Sequence, residues 1–197
     1  MTIKNLYVKD IIHYKNQYFK KRNELEAEIS SVKERYSNLI DKTGEREEIE
    51  AIKNKLQEIE SDTIEKIRDI VELYKKDVRN WALPTAEKIK DIKVLELELN
   101  EREVIDLIEK HKNNPIMLKR LQEYAYQKNM GQAYQLSLKY PTAEQKLEAI
   151  ETIEATILKG ITDRRDFSYA RGLVEDEKAL EKFISKFDNV LLDGKEL

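Results

Sequence analysis

The sequence predicts an all-α protein, a long antiparallel coiled-coil hairpin followed by a small helical bundle, and three features carry that reading. Charged residues fill 38% of the 197 positions while hydrophobic residues still reach 40%, the Glu/Lys/Leu/Ile mixture of long helices rather than of disordered chain. Only 5 Gly and 3 Pro occur, too few to punctuate a many-stranded sheet. A seven-residue apolar repeat runs from Val8 to Leu39 and has a counterpart beyond Gly44. Pro84 divides the chain into a hairpin over 1–83 and a bundle over 84–197.

In the first helix one seam row reads Ile11, Tyr18, Leu25, Val32, Leu39, and the other Val8, Lys15, Arg22, Ile29, Tyr36. Alternating steps of three and four put both rows on one stripe. The pattern stops at Asp41-Lys42-Thr43-Gly44, where Gly44 is expected to take the left-handed conformation that closes a helix. The second stripe reads Ile49, Ile52, Leu56, Ile59, Thr63, Ile67, Ile70, Tyr74, Val78, Trp81, with extra four-residue steps that relax supercoiling, and is expected to end near 80–83. Each arm is then about 55 Å long.

A short loop favours an antiparallel pair. Folding about 42–43 opposes Tyr36 to Ile49, Ile29 to Leu56, Tyr18 to Ile67 and Ile11 to Tyr74. The same folding brings Lys15 near Asp69 and Glu72, and Arg22 near Asp62 and Glu65, their stems along the seam and their charged heads in water. The competing architecture is a parallel dimer in which Gly44 is a defect.

The second half reads as shorter helices. Thr85 caps the first; Val94–Leu99 alternates like a strand but has no partner, so a helix to about Leu97 is preferred. Asn100–Glu103 is a capping box, and Asn113-Asn114-Pro115 closes one helix and opens another that Gly131 ends. Thr142–Gln145 is a second capping box, heading a helix that buries Leu147, Ile150, Ile153 and Ile157 and stops at Gly160. Phe167, Tyr169, Ala170, Val174, Leu180, Ile184, Phe187 and Leu191 mark a long or broken last helix, and Asp193–Leu197 is expected to fray.

Charge and motifs narrow the function. Net charge is −3, and residues 1–44, 45–83 and 84–197 carry +3, −3 and −3, so no segment has the basic excess that nucleic acid rewards. A helix-turn-helix over Asn100–Asn129 would offer Lys119, Arg120, Gln122 and Lys128 to a groove, but its surroundings are acidic. No Cys is present, and His13 and His111 fall in different helices, so metal and catalytic roles are disfavoured and no cofactor is expected. Phosphate loop, nucleophile elbow and HExxH are absent. The Glu45–Glu48 and Glu175–Glu177 runs read as solvated faces, and Thr162–Asp166 as a cap with local ion pairs. No run spans a bilayer and the first residues do not form a signal peptide, so a cytoplasmic location is expected. Tyr7, Tyr14 and Tyr18 line one arm; Tyr124, Tyr126, Tyr134 and Tyr140 gather in the second half, as interface residues or as bundle boundary.

Residues 99–129, with their capping box, helix, Asn114-Pro115 and amphipathic helix, resemble small coiled-coil proteins encoded by phages and prophages of low-GC Gram-positive bacteria. That resemblance implies a phage context and supplies no catalytic residue. Capsid scaffolding proteins share the layout of charged coiled coil and C-terminal helices. The expectation is a non-enzymatic helical interaction protein of the phage structural or assembly kind, self-associating (as a homodimer in the simplest case) through the coiled-coil seam and binding a partner protein. The alternative is a small regulator that binds a host protein.

Overall fold

The structure is a computed structural model that describes residues 5–89, 92–165 and 168–191, with the backbone alone for 86 and 87. The expectations for the first residues, Phe167, Asp166 and Asp193–Leu197 lie outside the described residues. The described chain is all-α, with no strand. Long α1 (Leu6–Arg35) and α2 (Thr43–Ala82) pack against each other as the predicted hairpin. They are followed by α3 (Ala86–Ile89), a 3-10 helix (Ile92–Glu96), α4 (Glu101–Lys110), α5 (Pro115–Gln127), α6 (Gly131–Ser137), α7 (Ala143–Thr162), α8 (Tyr169–Glu175) and α9 (Glu177–Ile184). No helix among the described residues is long and apolar enough to cross a membrane.

Two compact units form, each assembled from two stretches of the chain. One comprises Met1–Glu72 with Ile153–Ser185, the other Leu73–Thr152 with Lys186–Leu197. Helices α2 and α7 each contribute to both.

In the first unit, Asn5 caps α1 by accepting from the Val8 amide at 3.1 Å, and Lys33 and Arg35 stand at the negative end of the helix. Val8, Ile11, Tyr18, Phe19 and Val32 of α1, Ile52, Ile67 and Val71 of α2, and Ile153, Ile157, Ile161, Val174, Leu180 and Ile184 are buried. The last helix is broken, as one of the two expected forms, at Asp176, which ends α8 and caps α9 through the Lys178 and Ala179 amides at 2.9 and 3.2 Å. Gly160 does not stop α7, which continues to Thr162. A Cβ at Gly160 would stand 2.5 Å from Val174 Cγ2 and 2.9 Å from the Ala170 carbonyl, so this glycine permits α8 to lie directly on the α7 backbone.

In the second unit, Val104, Ile108, Met117, Leu118, Leu121, Ala125 and Ala133 form a core where α4, α5 and α6 meet. Its ends follow local chemistry. The Asn100–Glu103 box is present in both directions, Asn114 accepts from Met117 at 3.1 Å with Pro115 in the first turn, and Thr142 and Gln145 exchange bonds of 2.8 and 3.3 Å. Gly131 opens α6 rather than ending α5. The left-handed residue is Asn129, φ 53°, with Met130 N–H on the Ala125 carbonyl at 2.8 Å and Asn129 N–H on Tyr126 at 3.2 Å, a complete Schellman closure. Helix α6 has no side-chain cap of its own; the Glu101 carboxylate supplies one, accepting from the Gln132 and Ala133 amides at 2.7 and 3.3 Å. In place of the expected helix to about Leu97, the alternating 94–99 segment runs from the end of the 3-10 helix, Ile92–Glu96, into irregular chain that Tyr124 holds: its hydroxyl accepts from Leu99 N–H at 3.1 Å and donates to the Leu97 carbonyl at 3.3 Å. Lys146, over the Trp81 ring at 4.8 Å, and the Lys75–Glu151 pair at 3.0 Å are further contacts of this unit.

Candidate interaction surfaces

The predicted seam is mostly interior. Ile11, Tyr18, Val32, Ile52, Ile67 and Tyr74 are buried, and Leu25, Ile29, Tyr36, Ile49, Leu56, Ile59 and Ile70 are half-buried. Leu39 is the exception: it is 53% exposed, because α1 ends at Arg35 and leaves Leu39 in the turn. The turn spans residues 36–42; near it Tyr36 meets Glu48, one residue from the expected Ile49, and farther along the arm the Tyr18 hydroxyl reaches the Glu60 carboxylate at 3.4 Å. The ammonium of Lys66 lies 5.5 Å from the Tyr14 ring.

Lys15 and Arg22 do not meet the acids expected of them, nor does the Lys15 head reach water. Lys15 is 1% exposed and donates to the Val174 carbonyl at 2.9 Å, while Arg22 Nε bonds Glu26 of its own helix at 2.8 Å. Val174 lies in the last turn of α8, where carbonyls have no partner within the helix. Tyr18 serves α7 in the same way, its hydroxyl 3.3 Å from the Ile161 carbonyl. The polar seam positions of α1 thus complete the C-terminal ends of two helices that come more than 140 residues later. Arg171 extends this network to Glu175 at 2.8 Å and to Glu26 at 3.9 Å, and Arg164 pairs with Glu60 at 3.1 Å. Burial lowers the Lys15 pKa against the raising influence of Glu177 and Glu175, and burial raises that of Tyr18.

At the hairpin tip, polar contacts hold an apolar projection. Tyr36 donates to Glu48 at 2.9 Å and Arg35 pairs with the same carboxylate at 2.6 Å, which holds Glu48 below the usual carboxylate range and Tyr36 above its ordinary value. Asp41 accepts from the Thr43 amide and hydroxyl at 2.9 and 2.7 Å. Gly44 lies inside α2 and not at a positive φ; its role is space, since a Cβ there would stand 2.8 Å from the Tyr36 hydroxyl. Between these contacts Leu39 and fully exposed Ile40 face solvent.

The second unit carries a groove of about 490 Å³ lined by Ala125, Tyr126, Gln127, Asn129, Met130, Gly131 and Tyr134. Tyr126 is 69% exposed, and its ring lies 5.6 Å from that of Tyr134 at a 50° tilt. The run 129–138 is ten residues without a charge in a chain that is 38% charged. Asn129, Gly131, Gln132, Gln135 and Leu138 of that run are exposed, so burial alone does not explain its neutrality. Charge depletion with Tyr and Met enrichment is the composition of protein-interface cores.

The remaining sequence candidates are dispersed. His13 is exposed with Gln17 at 2.9 Å, and His111 is the C-cap of α4 in the other unit. Among the described residues no three His, Cys, Asp or Glu side chains are grouped to hold a metal ion. Of the helix-turn-helix residues, Lys119 faces Glu144 at 3.6 Å, Arg120 pairs with Glu123 at 3.3 Å and Lys128 lies 5.9 Å from the Tyr124 ring. Asp163 bonds Arg165 through both oxygens at 3.0 and 2.8 Å, the local pair expected there. The groove and the tip are features that composition alone underplays: the charge-free run was the available signal for one, and nothing in the repeat marked Leu39 as part of the other. Compared with protein-family models, with curated proteins and with solved structures, the chain matches none.

Proposed function

We propose that this chain is a non-enzymatic helical interaction protein of the phage structural or assembly kind, and that it grips a partner protein through the Tyr126–Tyr134 face. The observation that carries the reading is the exposed Tyr126 at an uncharged groove in an otherwise highly charged surface. Tyrosine gives large contact area for two rotatable bonds, which suits an anchor. The pairing of Lys119 and Arg120 with carboxylates supports a protein partner over a nucleic acid. The phage setting rests on the sequence resemblance.

The test is photocrosslinking in a bacterial cell from a benzoylphenylalanine at position 126 of the full chain, with the exposed position 24 as control. A discrete adduct from 126 and none from 24 is expected. No adduct from 126, or equal labelling from both positions, removes the basis of the reading. A second reading, a small regulator that blocks or recruits a host protein, is favoured by one observation: the seam side chains Ile11, Tyr18 and Val32 are buried within a single chain and do not need a second copy.

A further inference from the structure

We infer that the groove beside Tyr126 receives the hairpin tip of a second copy of this chain, with Leu39 and Ile40 as the inserted side chains. The inference rests on the reading of the Tyr126 face as a protein-binding surface and names its occupant. The groove lining carries no ionised side chain, so a charged group entering it would lose hydration with nothing to replace it. That selects an uncharged, apolar occupant and disfavours phosphates and acidic or basic peptides. Residues 36–40, Tyr-Ser-Asn-Leu-Ile, are the longest charge-free run before residue 80, and they form the turn of the hairpin. Leu39 is 53% exposed and Ile40 fully so, an apolar pair of the size a groove of about 490 Å³ admits.

The tip is also pre-ordered. The Leu39 amide donates to the Tyr36 carbonyl at 3.1 Å, Asp41 fixes the start of α2, and Tyr36 is tied to Glu48. An anchor already held in place loses little freedom on binding. The two surfaces differ, so the contact is heterologous: each copy offers one projection and one groove, and association continues unless the rotation closes a ring. This uses none of the buried seam residues; the one seam position it takes is Leu39, the exposed one.

The experiment is light scattering of the full chain across a concentration series, for the native sequence, for Ile40→Asp, for Tyr126→Asp and for an equimolar mixture of the two variants. Both positions are exposed, and unchanged helicity by circular dichroism verifies folding; Tyr126→Phe is the control that keeps the ring. The native chain and the Phe control are expected to rise above the 23.3 kDa chain mass with concentration. Each Asp variant alone is expected to stay at chain mass. Their mixture, which retains one intact tip and one intact groove, is expected to stop at twice chain mass. A native chain that stays monomeric throughout overturns the inference and leaves the crosslinking test of the face standing. Association abolished by Tyr126→Asp but not by Ile40→Asp keeps the face as an interface and overturns the tip as its occupant. Association that neither variant changes, or a mixture that does not pair, also overturns it.

Discussion

The two units are built from contacts of opposite range. The α4–α6 core of the second lies within residues 104–133 and is delimited by caps a few residues apart. The first joins residues 1–72 to 153–185, and its polar seam links Lys15 to Val174 and Tyr18 to Ile161. A local core needs little loop closure, whereas a distant one carries the entropy cost of closing the long intervening chain. The difference teaches that a polar residue at a heptad position is explained in one setting by its neighbours and in another by helix ends far along the chain.

The largest expected effect tests whether the local core is separate. Leu121→Ala, fully buried, should cost about 2–5 kcal/mol and remove hydrogen-exchange protection from α4–α6, with Trp81 fluorescence as a second reporter of that unit. Equal loss of protection in α8 would show that the two regions unfold as one. Gly160→Val should cost about 1–3 kcal/mol by overpacking against Val174 and the Ala170 carbonyl, and its loss of protection should fall on 168–184. Retained α8 protection would break the account of that crossing. Lys15→Ala should cost about 1–3 kcal/mol, since it leaves the Val174 carbonyl without this donor; Lys15→Met, which keeps the stem, should lose less. Urea unfolding of both variants ranks them, and an Ala variant no weaker than Met would remove the capping role.

A smaller effect is expected from pH. The folded pKa of Lys15 is lowered below 10.5, so between the folded and unfolded values the unfolded chain binds more protons, and stability rises with pH through that window. Tyr18 acts oppositely above 10: its raised folded pKa keeps the proton on the folded chain, and that contribution falls as pH climbs. Urea midpoints followed upward from neutral pH should rise less in Lys15→Met than in the native chain, and identical slopes would show that Lys15 titrates alike in both states. The smallest change is Asn129→Ala, expected to cost about 1–2 kcal/mol at an exposed left-handed position and to be felt in α5–α6 alone.

The all-α class, the hairpin and most helix ends of the second unit were legible in the sequence, because heptads, capping boxes and Asn-Pro act through residues a few positions apart. The same locality misled where the cause was distant. Gly160 reads as a stop, yet the helix continues because α8 needs the missing Cβ. Gly131 reads as a closing residue, yet Asn129 bears the left-handed turn. Gly44 reads as a left-handed cap, and it instead makes room for the Tyr36 ring. Leu39 keeps the heptad phase after the helix has ended, so its exposure is invisible to periodicity.

By itself, then, the sequence determined that the chain is helical, that two long helices pair, and where caps begin the shorter ones, since each of these follows from side chains spaced along one segment. Only the tertiary structure decided that Lys15 and Tyr18 complete the ends of α8 and α7, that Glu101 caps α6, and that an uncharged tip and an uncharged groove face solvent. Those depend on which carbonyl, amide or ring a distant segment brings within 3–4 Å, and no period in the sequence encodes that meeting.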